Sequence, residues 1–150
     1  MKNYKIGFSV KGFISFILVM IPNIIWAVAP PAVDILSQNN AVYPVFDWIM
    51  NICRFIIVAL LVLLINIAGN TKKRTWLFVA PGLLCLFGYC ISWGLYYGGN
   101  VNPWLFVAGL AAAPSLYFIF VGLWLKNYLS LLPSVLFAVI HITVTYLNFA

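Results

Sequence analysis

The sequence predicts an all-α integral membrane protein: a polytopic bundle of five transmembrane helices forming a single domain over residues 1–150. Two observations lead there. Hydrophobic residues make up 65% of the chain and charged residues only 7%, with a mean hydropathy of +1.09. A soluble domain carries about 25% charge, so the solvent that suits this chain is a bilayer. The second observation is that the apolar runs are unbroken, as from Phe55 to Ile65. A membrane β-barrel strand alternates apolar and polar residues. An unbroken run satisfies its backbone in hydrocarbon as a helix.

A span needs about 20 mostly apolar residues, and the sequence offers five such stretches, at residues 12–29, 48–68, 76–97, 104–125 and 131–149. The first follows Lys2, Lys5 and Lys11 and ends in "AVA" at 27–29, which fits a signal-peptide pattern. Pro30 directly after it disfavours cleavage, so an uncleaved helix is expected, kinked at Pro22. The connector over 30–47 carries Pro30, Pro31, Asp34, Asn39, Asn40 and Pro44, all turn chemistry. The second span opens on "DWIMNICRF", in which Asp47, Asn51 and Arg54 share one helix face. The third is thinned by Gly82, Gly88 and Gly94 and carries Tyr89, Ser92 and Tyr96. The fourth holds the small-residue pairs Ala108/Ala112 and Gly109/Ala113, a close-packing or oligomer face. The fifth places His141, Thr145 and Asn148 on one face.

Charge sets the expected orientation. Seven of the eight basic residues precede span one or lie between spans two and three or four and five. Both acids, Asp34 and Asp47, lie on the opposite side. The positive-inside rule then puts the N-terminus in the cytoplasm and the C-terminus outside. A bacterial plasma membrane is the expected location. The six tryptophans fall near span ends, where an interfacial belt accounts for them better than pocket walls do, Trp26 and Trp93 included. Cys53, Cys85 and Cys90 lie within spans at no metal or redox spacing, and read as packing residues.

Arg54 is the anomaly. An arginine inside a span costs at least about 2.5–3.5 kcal/mol. One account has it snorkel toward Asn51 and Asp47 as a structural ion pair. The other has it line a polar chamber. The polar residues of the other spans cluster in the same outer half, which favours the chamber.

The function expected is that of a non-enzymatic multi-pass membrane protein. Its outward-facing polar pocket would bind a small amphipathic or anionic ligand through Arg54, Asp47, Asn51, Asn23, Tyr89 and His141. No nucleophile–base pair, phosphate loop or metal cluster appears, so no catalysis, cofactor or metal is expected. The basic residues sort by topology and form no platform for nucleic acid. The rivals are a transporter or membrane subunit of a larger complex, and a structural or immunity-type protein. Either would use Ala108, Gly109, Ala112 and Ala113 against a second copy or a membrane partner.

The span count, the frequent tryptophan and the tail "TYLNFA" at residues 145–150 resemble the tryptophan-rich sensory (translocator) family of small-ligand binders. Where that family has a proline- and tryptophan-rich signature before its second span, this chain has "YPVFDW". No residue role is carried across.

Overall fold

The computed structural model describes residues 3–67 and 76–150. The expected basic cluster Lys72, Lys73 and Arg74, and Lys2, lie outside the described residues. Five helices are long and apolar enough to cross a membrane. In chain order the elements are β1 (Tyr4–Ile6), α1 (Val10–Val28), α2 (Pro44–Leu63), β2 (Leu64–Asn66), α3 (Trp76–Tyr97), α4 (Ala113–Trp124) and α5 (Leu131–Phe149). A wide π-helical segment, Leu105–Ala112, feeds directly into α4. The helices pack in the ring order α1, α2, α5, α4, α3, with α1 touching α3 only lightly. The outside of the ring is apolar: Phe55, Leu84, Phe87, Leu132 and Leu147 are all exposed.

Local chemistry accounts for where α1, α2 and the π-helical segment start. Ser9 caps α1, its hydroxyl accepting from the Gly12 amide at 3.1 Å. Pro44 occupies the first turn of α2, where a missing N–H costs nothing, with Asp47 beside it at the positive helix end. Ahead of the π-helical segment, the Asn102 side chain accepts from the Trp104 amide at 2.9 Å.

The second span was expected to run to residue 68, but α2 ends at Leu63. A helix end leaves carbonyls without intrahelical partners, and here the N-terminal segment takes them. The Ser9 amide donates to Val62 O at 2.7 Å and the Gly7 amide to Leu63 O at 3.0 Å. The following residues then pair with β1 in antiparallel register, Tyr4 opposite Asn66 and Ile6 opposite Leu64. The Asn127 side chain donates to Leu60 O and Leu64 O, tying in the α4–α5 turn. This two-stranded ribbon was not foreseen in an all-helical reading.

The helices α3 and α4 end alike. Behind α3, the Asn100 amide reaches Leu95 O and the Gly99 amide reaches Tyr96 O, with Gly99 at φ +86°. Behind α4, the Asn127 amide reaches Gly122 O and the Lys126 amide reaches Leu123 O, with Lys126 at φ +54°. Glycine usually holds this left-handed position. A side chain there costs about 1–2 kcal/mol. The Lys126 carbonyl, turned outward by that conformation, accepts from the Asn66 side chain at 2.7 Å and from the Tyr4 hydroxyl at 3.4 Å.

Small residues set the closest approaches. A Cβ on Gly109 would lie 2.0 Å from Ser92 Oγ, so the small face of the fourth span receives α3 of the same chain at this point. Ala111 is buried beside it, while Ala108 remains exposed. Lys5, Lys11 and Lys126 gather at one end of the bundle with β1, β2 and the α4–α5 turn. Asp34 and Asp47 lie at the other end with the 30–43 connector. Among the described residues the lysines and the two acids therefore lie at opposite ends, with Arg54 the one basic residue placed toward the acids.

Candidate functional site

A cavity of about 330 Å³ lies inside the ring at the aspartate end, and every one of the five helical segments contributes to its wall. From α1 come Phe16, Val19, Asn23 and Trp26; from α2, Arg54; from α3, Tyr89 and Trp93. The π-helical segment and α4 supply Phe106, Leu110, Pro114 and Phe118, and α5 supplies Phe137, His141 and Thr145. Four of the six residues expected to form a pocket, Arg54, Asn23, Tyr89 and His141, line this one cavity. They come from four helices far apart in sequence.

Asp47 and Asn51 do not line the cavity. The expected ladder from Asp47 through Asn51 to Arg54 is half formed. Arg54 Nη1 donates to Asn51 Oδ1 at 3.4 Å. Asp47 instead turns back to the connector, where its carboxylate accepts from the Ala41 amide at 3.2 and 3.3 Å. The reason is local, because the chain doubles back before Pro44 and brings an unpaired backbone donor to the first turn of α2. The guanidinium of Arg54 sits over the Phe137 ring at 5.5 Å, and Phe137 stacks on His141 at 5.1 Å.

The chain has only two acids, and both are committed elsewhere. Asp34 Oδ1 accepts from Trp26 Nε1 at 3.1 Å and from the Tyr96 hydroxyl at 2.7 Å. Arg54 thus keeps its charge near an apolar, aromatic wall with a side-chain amide and a ring face as its contacts.

Other polar groups divide into spent and unspent. Ser92 and Ser115 donate to carbonyls one turn back in their own helices, at 2.8 and 2.7 Å, and so offer nothing to a ligand. Asn23 Nδ2 donates to Val19 O at 3.0 Å and to the Tyr89 hydroxyl at 2.8 Å. That leaves the Tyr89 O–H free to donate onward, since its oxygen is the acceptor in this bond. Trp93 is only 5% exposed, and its indole N–H lies toward the Tyr89 hydroxyl without a well-formed hydrogen bond to it.

The tryptophans correct the belt expectation. Trp48, Trp76 and Trp104 are exposed, as a belt requires. Trp93 is buried in the core, and Trp26 packs against it with ring centroids 6.2 Å apart. Trp93 also meets Tyr89 and Tyr96, at 6.2 and 5.8 Å. The signal available in the sequence was the i, i+4, i+7 spacing of Tyr89, Trp93 and Tyr96, which marks an inward stripe.

The connector borders the cavity at the aspartate end. It places Leu36 and Asn39 in the cavity wall. One side is held by Asp34, and by the Leu36 amide donating to the Tyr96 hydroxyl at 3.1 Å. The other is held by Asn39 Nδ2 donating to Thr145 Oγ1 at 3.0 Å, and by Asn148 Nδ2 donating to Asn39 Oδ1 at 2.9 Å. Asp34→Ala removes the shared acceptor of Trp26 and Tyr96. Hydrogen bonds to a charged group contribute about 1.5–3 kcal/mol. Amide hydrogen exchange at Leu36 to Asn39 is expected to accelerate by about tenfold or more. Unchanged exchange would mean that the Asn39 side alone holds the connector.

Compared with known protein families, curated proteins and solved structures, the chain matches none.

Proposed function

We propose that this chain is a multi-pass protein of the plasma membrane, of bacterial type. In this reading its N-terminus is cytoplasmic, and its central cavity binds a small amphipathic anion from the outer side. The single observation that carries the reading is the convergence of Arg54, His141, Tyr89 and Asn23 from four helices on one aromatic-walled cavity in which no carboxylate stands. A cavity near 330 Å³ is at the small end of ligand sites. Arg54 supplies the charge, the Tyr89 hydroxyl supplies a neutral donor, and the rings of Trp26, Phe106, Phe118 and Phe137 supply flat apolar surface. The ligand is therefore an aromatic or otherwise flat body bearing one carboxylate or a similar anion. Binding, rather than chemistry, is the activity. Among the described residues of the cavity wall, the titratable groups near Arg54 are the Tyr89 hydroxyl and, across the Phe137 ring, His141.

Positive-inside sorting supports the orientation. Lys5, Lys11 and Lys126 share one end and the two acids share the other. The partner-binding alternatives leaned on the fourth-span small face. Gly109 of that face is occupied by Ser92 of the same chain.

Calorimetric titration of the purified protein in lipid nanodiscs tests the reading. Naphthoate is expected to bind at least about tenfold more tightly than the isosteric, uncharged naphthamide. Equal affinity for the two, or no heat from either, would overturn it.

A further inference from the structure

A second concavity lies at the lysine end, on the outside of the ring, where α1 and α3 touch only lightly. It measures about 200 Å³ and is walled by Ile14 and Leu18 of α1, Phe78 and Leu83 of α3, and Phe120 and Trp124 of α4. Its floor is dry. The Ser15 hydroxyl is spent on Lys11 O at 2.8 Å, and the Tyr117 hydroxyl on Ser15 O at 3.0 Å. Gly82 lines the groove too; a Cβ there would just touch Phe120 Cβ, at 3.4 Å. A larger side chain at Gly82 would project into the groove.

Among the described residues, one charged side chain lines this groove. Lys11 stands at its end, with Nζ 5.8 Å from the Trp124 ring centroid. From Lys11 to Leu18 the groove follows α1 for seven residues, about 10 Å of helix rise. Half of a bilayer's hydrocarbon core is about 15 Å thick. The groove thus begins at a cation beside an interfacial tryptophan and descends most of one leaflet between apolar walls. No acid stands at this end among the described residues, since Asp34 and Asp47 are both at the other.

We infer that this α1–α3 groove holds one anionic phospholipid, with an acyl chain between Ile14, Leu18, Leu83 and Phe120 and its phosphate at Lys11. The inference rests on the membrane placement proposed above but not on the cavity ligand. The lipid would fill the loose α1–α3 seam, so its headgroup charge bears on how firmly α1 is seated. A floor with no free hydroxyl proton suits a hydrocarbon chain better than a polar solute.

Mass spectrometry of the intact protein, released from detergent containing equal phosphatidylglycerol and phosphatidylcholine of identical acyl chains, tests this directly. The wild type is expected to retain one phosphatidylglycerol, with a preference of about fivefold over phosphatidylcholine. Lys11→Gln is expected to abolish the preference. Lys5→Gln, at the same end but outside the groove, is expected to keep it. Gly82→Leu, which fills the groove, is expected to lose both lipids. Equal retention of the two lipids by the wild type would overturn the assignment. So would an undiminished preference in Lys11→Gln, or a loss in Lys5→Gln as large as in Lys11→Gln. Should Gly82→Leu fail to fold, the two lysine variants decide. Naphthoate titration of the same samples separates a failure here from a failure of the central-cavity reading.

Discussion

Arg54→Ala is expected to weaken naphthoate binding by about a hundredfold while leaving thermal stability unchanged or slightly raised. The size follows from removing one partner of a desolvated charge pair, about 2–5 kcal/mol. The stability expectation separates this account from its rival. Were Arg54 a structural ion pair, its loss would destabilise the bundle. Its protein contacts are one long hydrogen bond to Asn51 at 3.4 Å and the Phe137 ring, and both acids are engaged elsewhere. An arginine so placed is a net cost to the empty protein. Arg54→Lys keeps the charge but loses the planar fork, so an intermediate affinity is expected. Calorimetry for binding and thermal unfolding in one detergent for stability check the pair of outcomes. A marked drop in Tm for Arg54→Ala with affinity intact would invert the argument.

Gly12→Ala is expected to cost about 3 kcal/mol of stability, at the upper end of overpacking effects. A Cβ on Gly12 would lie 1.9 Å from Leu61 O and 2.7 Å from its carbonyl carbon. Those are backbone atoms of α2 and cannot rotate away, so the whole of α1 must back off. The contact seats the lysine end of α1 against α2, and beyond it α1 carries Phe16, Val19 and Asn23 into the cavity wall. Loss of naphthoate binding is therefore expected to accompany the lower Tm. Gly88→Ala is the matched control, since nothing lies within 4 Å of a Cβ there. It is expected to melt at or above the wild type, because alanine is the better helix former by about 1 kcal/mol. Equal melting of the two variants would refute the close-contact argument.

The helices were legible from sequence because hydropathy is a local property. Each of the five predicted stretches contains or overlaps one helix. The end of α2 was not, because its carbonyls are taken by Gly7, Ser9 and Asn127, whose distance in sequence hides the contact. The cavity was partly legible. Arg54, Asn23, Tyr89 and His141 stood out as polar groups in apolar runs. Asp47 shared their helix face yet serves the Ala41 amide, since helical periodicity ranks neighbours on one helix and says nothing of a chain that doubles back. Trp93 was misread as interfacial because its place near a helix end satisfies the belt rule, while its burial depends on Trp26, Tyr89 and Tyr96 around it. Aromatic cavity walls are built across helices, and a single-helix pattern cannot tell which aromatic faces inward.

The measurement closest to the central claim is the reactivity of one cysteine in the cavity. Cys53, Cys85 and Cys90 are first replaced, and His141→Cys and Phe55→Cys are made separately in that background. Position 141 lines the cavity, while Phe55 adjoins Arg54 in sequence but is 79% exposed on the apolar exterior. A negatively charged, membrane-impermeant methanethiosulfonate is applied from outside to cells or oriented vesicles. Rapid labelling is expected at position 141, slowed by naphthoate, and none at 55. Labelling at neither position, in protein shown to be folded and inserted, would contradict a water-reached anion site and leave Arg54 as a buried structural residue.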